Sequence, residues 1–277
     1  MKTIVITGAS SGIGLATAEH FANQGWNVAA TMRTPENTNL SDFQNVKLFK
    51  LDVTDASSIE SAQNAILNDF EKIDVVLNNA GYGLVGAFEA ASDEQIRRQF
   101  ETNVFGLMSV TKAFLPHFRA NRSGLFINVS SIGGLITFPL ISLYHSTKWA
   151  VEGFSESLWY ELSELGIGVK IIEPGGVDTD FGGRSMDFSQ KDGLTDYDDM
   201  SANFQANFSA SGLAGSTAEM LGEAIYNAAT DGKTQLRYLV GADAEQTYSM
   251  RKEYGDEAFM TGMKERMLSQ KIVKKNL

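Results

Sequence analysis

The sequence predicts an α/β fold: a doubly wound parallel sheet with helices on both faces, in a single domain spanning residues 1–277. Three observations carry this. Short runs rich in β-branched residues recur along the chain, helical periodicity separates them, and a glycine-rich turn joins the first run to the first helical segment. Parallel pairing needs crossover connections, and right-handed crossovers place helices on both faces of the sheet.

The run Lys2 to Thr7 reads as the first strand, ending at Gly8, and apolar residues at Ile13, Leu15, Ala18, Phe21 and Ala22 mark the first helix. Further strands are expected at Val28–Met32, Val46–Leu51, Val75–Leu77, Leu125–Val129 and Val169–Ile172. Helices are expected at about 57–70, 93–118 and 142–165. Between about 182 and 215 the pattern dissolves into Gly, Ser, Asp, Asn and Phe with no clear strand. Loops that long inside a domain are functional or mobile, so a flexible cover over the site is expected there. Periodicity returns at Thr217–Ala229, a last strand is expected at Arg237–Val240, and residues of about 244–275 read as a helical tail with a charged, solvated face.

Composition narrows the function classes. With 43% hydrophobic residues and only 4 prolines, the chain can build a sizeable core. A net charge of −11 repels a phosphate backbone, which argues against nucleic acid, so any bound phosphate must be held by local donors. The chain has no cysteine and 3 histidines, which excludes disulfides, thiolate zinc sites and a thiol nucleophile, and no metal site is expected. Redox chemistry must then come from a cofactor. Neither a signal-peptide apolar region nor a membrane-spanning run is legible, so a cytoplasmic location without membrane contact is expected.

The segment Thr7-Gly8-Ala9-Ser10-Ser11-Gly12-Ile13-Gly14 lies between a strand and a helix. Gly8 permits a tight turn, Gly12 lets backbone approach a pyrophosphate, Gly14 allows close packing, and the helix amides face the anion. This is a Rossmann-type dinucleotide fingerprint in a variant spacing.

Thr7 to Gly14 resembles the glycine motif of the short-chain dehydrogenase/reductase family in its form of roughly 250 residues. The resemblance extends to Asn78-Asn79-Ala80-Gly81, to Asn103, and to Pro174-Gly175, and it covers roughly Thr3 to Thr179. It implies cofactor contacts at Gly8, Ser10, Ser11, Gly12, Ile13, Gly14, Asn79, Ala80 and Gly81, and at the pair Asp52-Val53 against the adenine ring.

An NAD site offers an acidic residue after the second strand, whereas this chain has Thr31-Met32-Arg33-Thr34. A guanidinium pairs with a 2′-phosphate, so Arg33 favours NADP(H). Ser10 and Ser11 stand where some NADP-selective relatives carry a basic residue, so NAD(H) stays open.

Tyr144 and Lys148 are four residues apart and share one face of the helix over 142–165. A nearby ammonium is expected to lower the phenol pKa from its ordinary value near 10. Tyr248 and Lys252 show the same spacing. The family's interval from serine to tyrosine selects Tyr144, with Ser131 rather than the adjacent Ser130 as partner. The resemblance implies that Ser131 hydrogen-bonds the substrate oxygen and that Tyr144 is the general acid/base. Lys148 would also bind the nicotinamide ribose, and Asn103 would hold a water leading to Lys148. Pro174, Gly175, Val177 and Thr179 would then lie near the nicotinamide, although Gly175 and Gly176 also fit a simple turn. His145 points about 100° away from Tyr144 around the helix, which suits a structural or substrate-lining role.

These expectations converge on an NADP(H)-dependent oxidoreductase interconverting a carbonyl and an alcohol. The region around Tyr144 and the run Val28–Arg33 resemble the branch with 17β-hydroxysteroid and retinol dehydrogenases. Leu135, Ile136, Phe138, Pro139, Leu140 and Ile141, with Phe181, Phe188, Phe204 and Phe208, either line an apolar substrate pocket or pack as core. The resemblance also implies a homodimer or homotetramer. Two rival readings are a nonenzymatic NADP(H)-sensing regulator, which would not need Ser131, Tyr144 and Lys148, and an epimerase or dehydratase retaining NAD, which Arg33 disfavours.

Overall fold

The computed structural model describes residues 1–35, 38–178, 185–209 and 215–269. Seven strands form one sheet: β1 (Thr3–Thr7), β2 (Asn27–Met32), β3 (Val46–Lys50), β4 (Val75–Asn78), β5 (Gly124–Val129), β6 (Ile167–Pro174) and β7 (Arg237–Val240). Their order is β7-β6-β5-β4-β1-β2-β3, with every pairing parallel. All residues of β1 and β4 are buried, as strands covered on both faces require. Strand order reverses between β1 and β4, so the crevice opens where their C-terminal ends carry the glycine turn and Asn79.

The helices are α1 (Gly12–Asn23), α2 (Ala56–Asp69), α3 (Asp93–Phe100), α4 (Leu107–Asn121), α5 (Ser142–Ser163), α6 (Asp198–Ser209), α7 (Ala218–Thr230), α8 (Ala242–Tyr254) and α9 (Asp256–Leu268). One face of the sheet is sealed by α1 and α7 through Phe21, Trp26, Leu221 and Ile225. The other is sealed by α2, α4 and α5 through Ile66, Phe114, Phe118 and Leu158. The start of α2 is fixed by Asp55, whose carboxylate accepts from the Ser57 and Ser58 amides, and Ser92 with Gln95 forms a capping box at α3.

Several boundaries differ from expectation. The helix expected over 93–118 is interrupted by a π-helical segment, Glu101–Gly106, a rare geometry that concentrates at functional sites. The stretch expected as a loop over about 182–215 contains α6 and a strand, Met186–Phe188, paired with Gly83–Val85. Three-residue strands are too short to show a periodicity, which is why neither was legible. Similarly, Val177–Asp178 pairs with Ser216–Thr217. The expected helical tail is two helices, α8 and α9, parted at Gly255, where φ is +78°. Phe204 packs with Ile132, Ile136, Phe259 and Met263 in a third core cluster, so for this residue core packing is the outcome. Among the described residues no helix is long and apolar enough to cross a membrane, and no group of side chains could hold a metal ion.

Candidate active site

The glycine turn is built by mutual exclusion of side chains. Gly8 has φ +68°, and a Cβ on Gly14 would lie 2.3 Å from the Gly8 carbonyl oxygen. Asn79 then ties β4 to this turn, its Nδ2 donating to the carbonyls of Thr7 (2.9 Å) and Gly8 (3.2 Å). The Thr7 hydroxyl accepts from the amides of Asn79 and Ala80. Ser11 caps α1 without a side-chain bond, so the first-turn amides, including those of Ile13 and Gly14, are left for an anion. Such a cradle fits a pyrophosphate.

Around it, the Ala9 amide donates to the Thr31 carbonyl at 3.0 Å, which brings Ser10 and Ser11 to the same sheet end as the exposed Arg33. Asp52 accepts from Thr54 through both amide and hydroxyl. Val53 sits against the π-helical segment, where a Cβ on Gly106 would come within 2.8 Å of it.

The predicted catalytic residues meet at the ends of β5 and α5. Ser131 follows β5, its hydroxyl accepting from the Gly133 amide at 3.0 Å and hydrogen-bonding the Tyr144 phenol. Ser130 turns the other way, buried beside Glu152. Tyr144 and Lys148 share a face of α5, with Lys148 Nζ 5.6 Å from the tyrosine ring centroid. The expected acidification of the phenol is reversed here. Burial pushes the Tyr144 phenol up to about 12, only partly opposed by the Ser131 hydrogen bond. Burial also pulls Lys148 down to about 8, against the charge of Glu152, and its ammonium donates to the Val129 carbonyl at 2.9 Å.

Asn103 lies in the π-helical segment, and its side chain is spoken for. Oδ1 accepts from the Tyr82 amide at 3.1 Å, while Nδ2 donates to the Tyr82 carbonyl and to the Thr147 hydroxyl. It therefore locks the strand following Gly81 to the turn of α5 that carries Lys148. Behind it, Asn78 and Asn128 sit opposite one another on β4 and β5 and are joined to Thr111 and Ser155 on the flanking helices.

His145 has a structural role and also borders a cavity. Its Nε2 accepts from the Phe138 amide at 2.9 Å, which leaves Nδ1 to donate to the Gly133 carbonyl at 2.9 Å. The ring is neutral and ties both ends of the segment after Ser131. A cavity of about 510 Å³ lies beside it, lined by Phe138, Pro139, Leu140 and Trp149 but not by Ser131 or Tyr144.

The turn after β6 is held from the far end of the chain. The Gly175 amide donates to Val240, and the Gly176 amide to the Asp243 carboxylate. Pro174 and Val177 flank this turn, and Thr179 lies outside the described residues, as does Phe181. Asp243 carries no sequence motif; a lone acid following Val240-Gly241 was its only signal. Tyr248 and Lys252 pair with each other on α8, where Tyr248 packs on the third core cluster.

Residues 2–189 match the family model described as short chain dehydrogenase. An uncharacterized oxidoreductase of Schizosaccharomyces pombe is 39% identical over 237 residues, spanning 85% of this chain and 99% of that protein. The crystal structure of a short-chain dehydrogenase from Streptomyces avermitilis superposes with a TM-score of 0.81 at 33% identity, over 95% of each chain. An alcohol dehydrogenase from Thermococcus sibiricus complexed with 5-hydroxy-NADP does so with a TM-score of 0.71 at 26% identity, over 87% of this chain and 97% of that one.

Proposed function

We propose that this chain, which belongs to the short chain dehydrogenase family, is an oxidoreductase that interconverts a carbonyl and an alcohol with NADP(H). The observation that carries the reading is the meeting of Ser131, Tyr144 and Lys148 at the ends of β5 and α5. When bound, the nicotinamide supplies or accepts the hydride.

The residues divide the remaining work. Ser131 orients the substrate oxygen by hydrogen bonding. Tyr144 gives that oxygen its proton during reduction and takes it back during oxidation. A phenol held at about 12 is fully protonated at neutral pH, which is the form reduction requires. Lys148 stabilises the phenolate left behind by its positive charge. The uncapped start of α1 and the turn closed by Gly8 and Gly14 would hold the pyrophosphate, and Arg33 would pair with a 2′-phosphate.

Phe138 and Phe208, whose rings are in contact, support an apolar substrate. The exposed Phe105, Trp149 and Tyr160 on and beside the two long helices support self-association, against which a monomer in light scattering would count. The function is tested by following NADPH oxidation with a panel of ketones and aldehydes of increasing chain length. Turnover that favours the apolar members is expected, and tight NADPH binding with no turnover on any of them contradicts the reading.

A further inference from the structure

Beneath the site, one guanidinium faces three carboxylates. Arg237 on β7 places Nε 3.0 Å from Glu152 and 3.4 Å from Glu173, and Nη2 2.6 Å from Glu156. Glu156 reaches solvent, but Glu152 is 5% exposed and Glu173 is fully buried. Neither oxygen of Glu173 receives a directed hydrogen bond from any described donor, and the same holds for Oε1 of Glu152. The two buried carboxyls converge on the same Nε of Arg237, one guanidinium nitrogen between two acids.

The remaining groups facing this pair are Ser130, after β5, and Lys148, one turn before Glu152 on the same face of α5. Glu156 is hydrated, so the strain falls on the buried pair, two carboxylates that share the one Nε of Arg237. Two buried carboxylates crowded around one guanidinium nitrogen, with oxygens that receive no hydrogen bond, do not both stay charged. Glu173 is the more deeply buried and the less well paired, so it is the one that keeps the proton.

We propose that Glu152 and Glu173 hold a single proton between them at neutral pH, and that the charge left on Glu152 is the positioning partner that keeps the Lys148 ammonium charged inside the protein. Burial raises Glu173 to about 8 and takes Lys148 down to about 8, in keeping with this division. The assignment of Glu152 to Lys148 rests on the catalytic reading above; the shared proton does not.

The test uses the ligand-free full chain and reads protonation rather than turnover. Lysine side-chain NMR, with Lys148→Arg to assign the signal, gives the Lys148 titration midpoint. Glu152→Gln is expected to lower it by about one pH unit or more, because the nearest opposite charge is gone. Glu173→Gln is expected to leave it in place, because it replaces a neutral group by a neutral group. Equal displacement by both variants, or by neither, overturns the proposal. Infrared spectra of the wild-type chain supply a second readout that does not depend on any variant folding. A neutral carboxyl C=O band at neutral pH that disappears on raising the pH is expected, and its absence overturns the shared proton. An inactive enzyme that still shows both signals would sink the catalytic reading alone.

Discussion

The Asp243 carboxylate accepts the Gly176 amide proton at 2.6 Å, so a residue near the C-terminus holds the turn that leaves β6. The fit leaves no spare room: a Cβ on Gly175 would fall 2.2 Å from Oδ1 of the same side chain. Asp243→Ala is expected to cost about 1–3 kcal/mol of stability, since the bond is charge-assisted and buried. It should also raise the KM for NADPH, with Asp243→Asn milder in both respects. Urea denaturation and steady-state kinetics check the two effects.

Arg33 is exposed at the end of β2, with no acidic residue among its immediate sequence neighbours. Arg33→Ala is expected to weaken NADPH binding by about ten- to a hundredfold, the worth of a charge-assisted hydrogen-bonded pair, and to leave NADH nearly unchanged. Fluorescence titration with the two dinucleotides measures this, and equal weakening of both would remove Arg33 from the 2′-phosphate site.

Gly14→Ala would put a methyl carbon 2.3 Å from the Gly8 carbonyl oxygen, a backbone atom that cannot turn aside. The β1–α1 turn must open, at a cost of about 1–3 kcal/mol for an overpacked site. Thermal denaturation should show the loss, and dinucleotide titration should show weakened binding of NADPH and NADH alike.

The legible parts of the molecule were those with long periods or motif-bearing turns. Strands β1 and β4 show as apolar, β-branched runs because burial on both faces makes them continuously apolar. The edge strand β7 matches the expectation at Arg237–Val240, but that Arg237 at its head pairs with the buried carboxylates of Glu152 and Glu173 is not visible in the sequence. What stayed hidden depends on contacts between distant segments. Glu173 interrupts an apolar strand, a visible anomaly whose partners lie on α5 and β7 and cannot be found from spacing. The Tyr144 phenol departs from expectation because the sequence shows the neighbouring ammonium but not the burial that outweighs it.

His145 gives a pH dependence of known sign. Burial lowers its pKa below the ordinary 6.5, and both ring nitrogens are committed to the neutral form. The unfolded chain therefore binds the proton more readily. The stability His145 contributes is present above the unfolded value and is lost as pH falls through the folded one. Urea midpoints between pH 7.5 and 5 should fall more steeply for the wild type than for His145→Gln. Parallel slopes would show that the ring carries no such linkage.

The most direct test of the account is Tyr144→Phe, which removes one hydroxyl from the phenol bonded to Ser131. In a variant with wild-type circular dichroism and unchanged NADPH affinity, kcat for carbonyl reduction is expected to fall by about a hundred- to ten-thousandfold, the range that general acid catalysis supplies. Undiminished kcat in that folded, cofactor-binding variant would contradict the account.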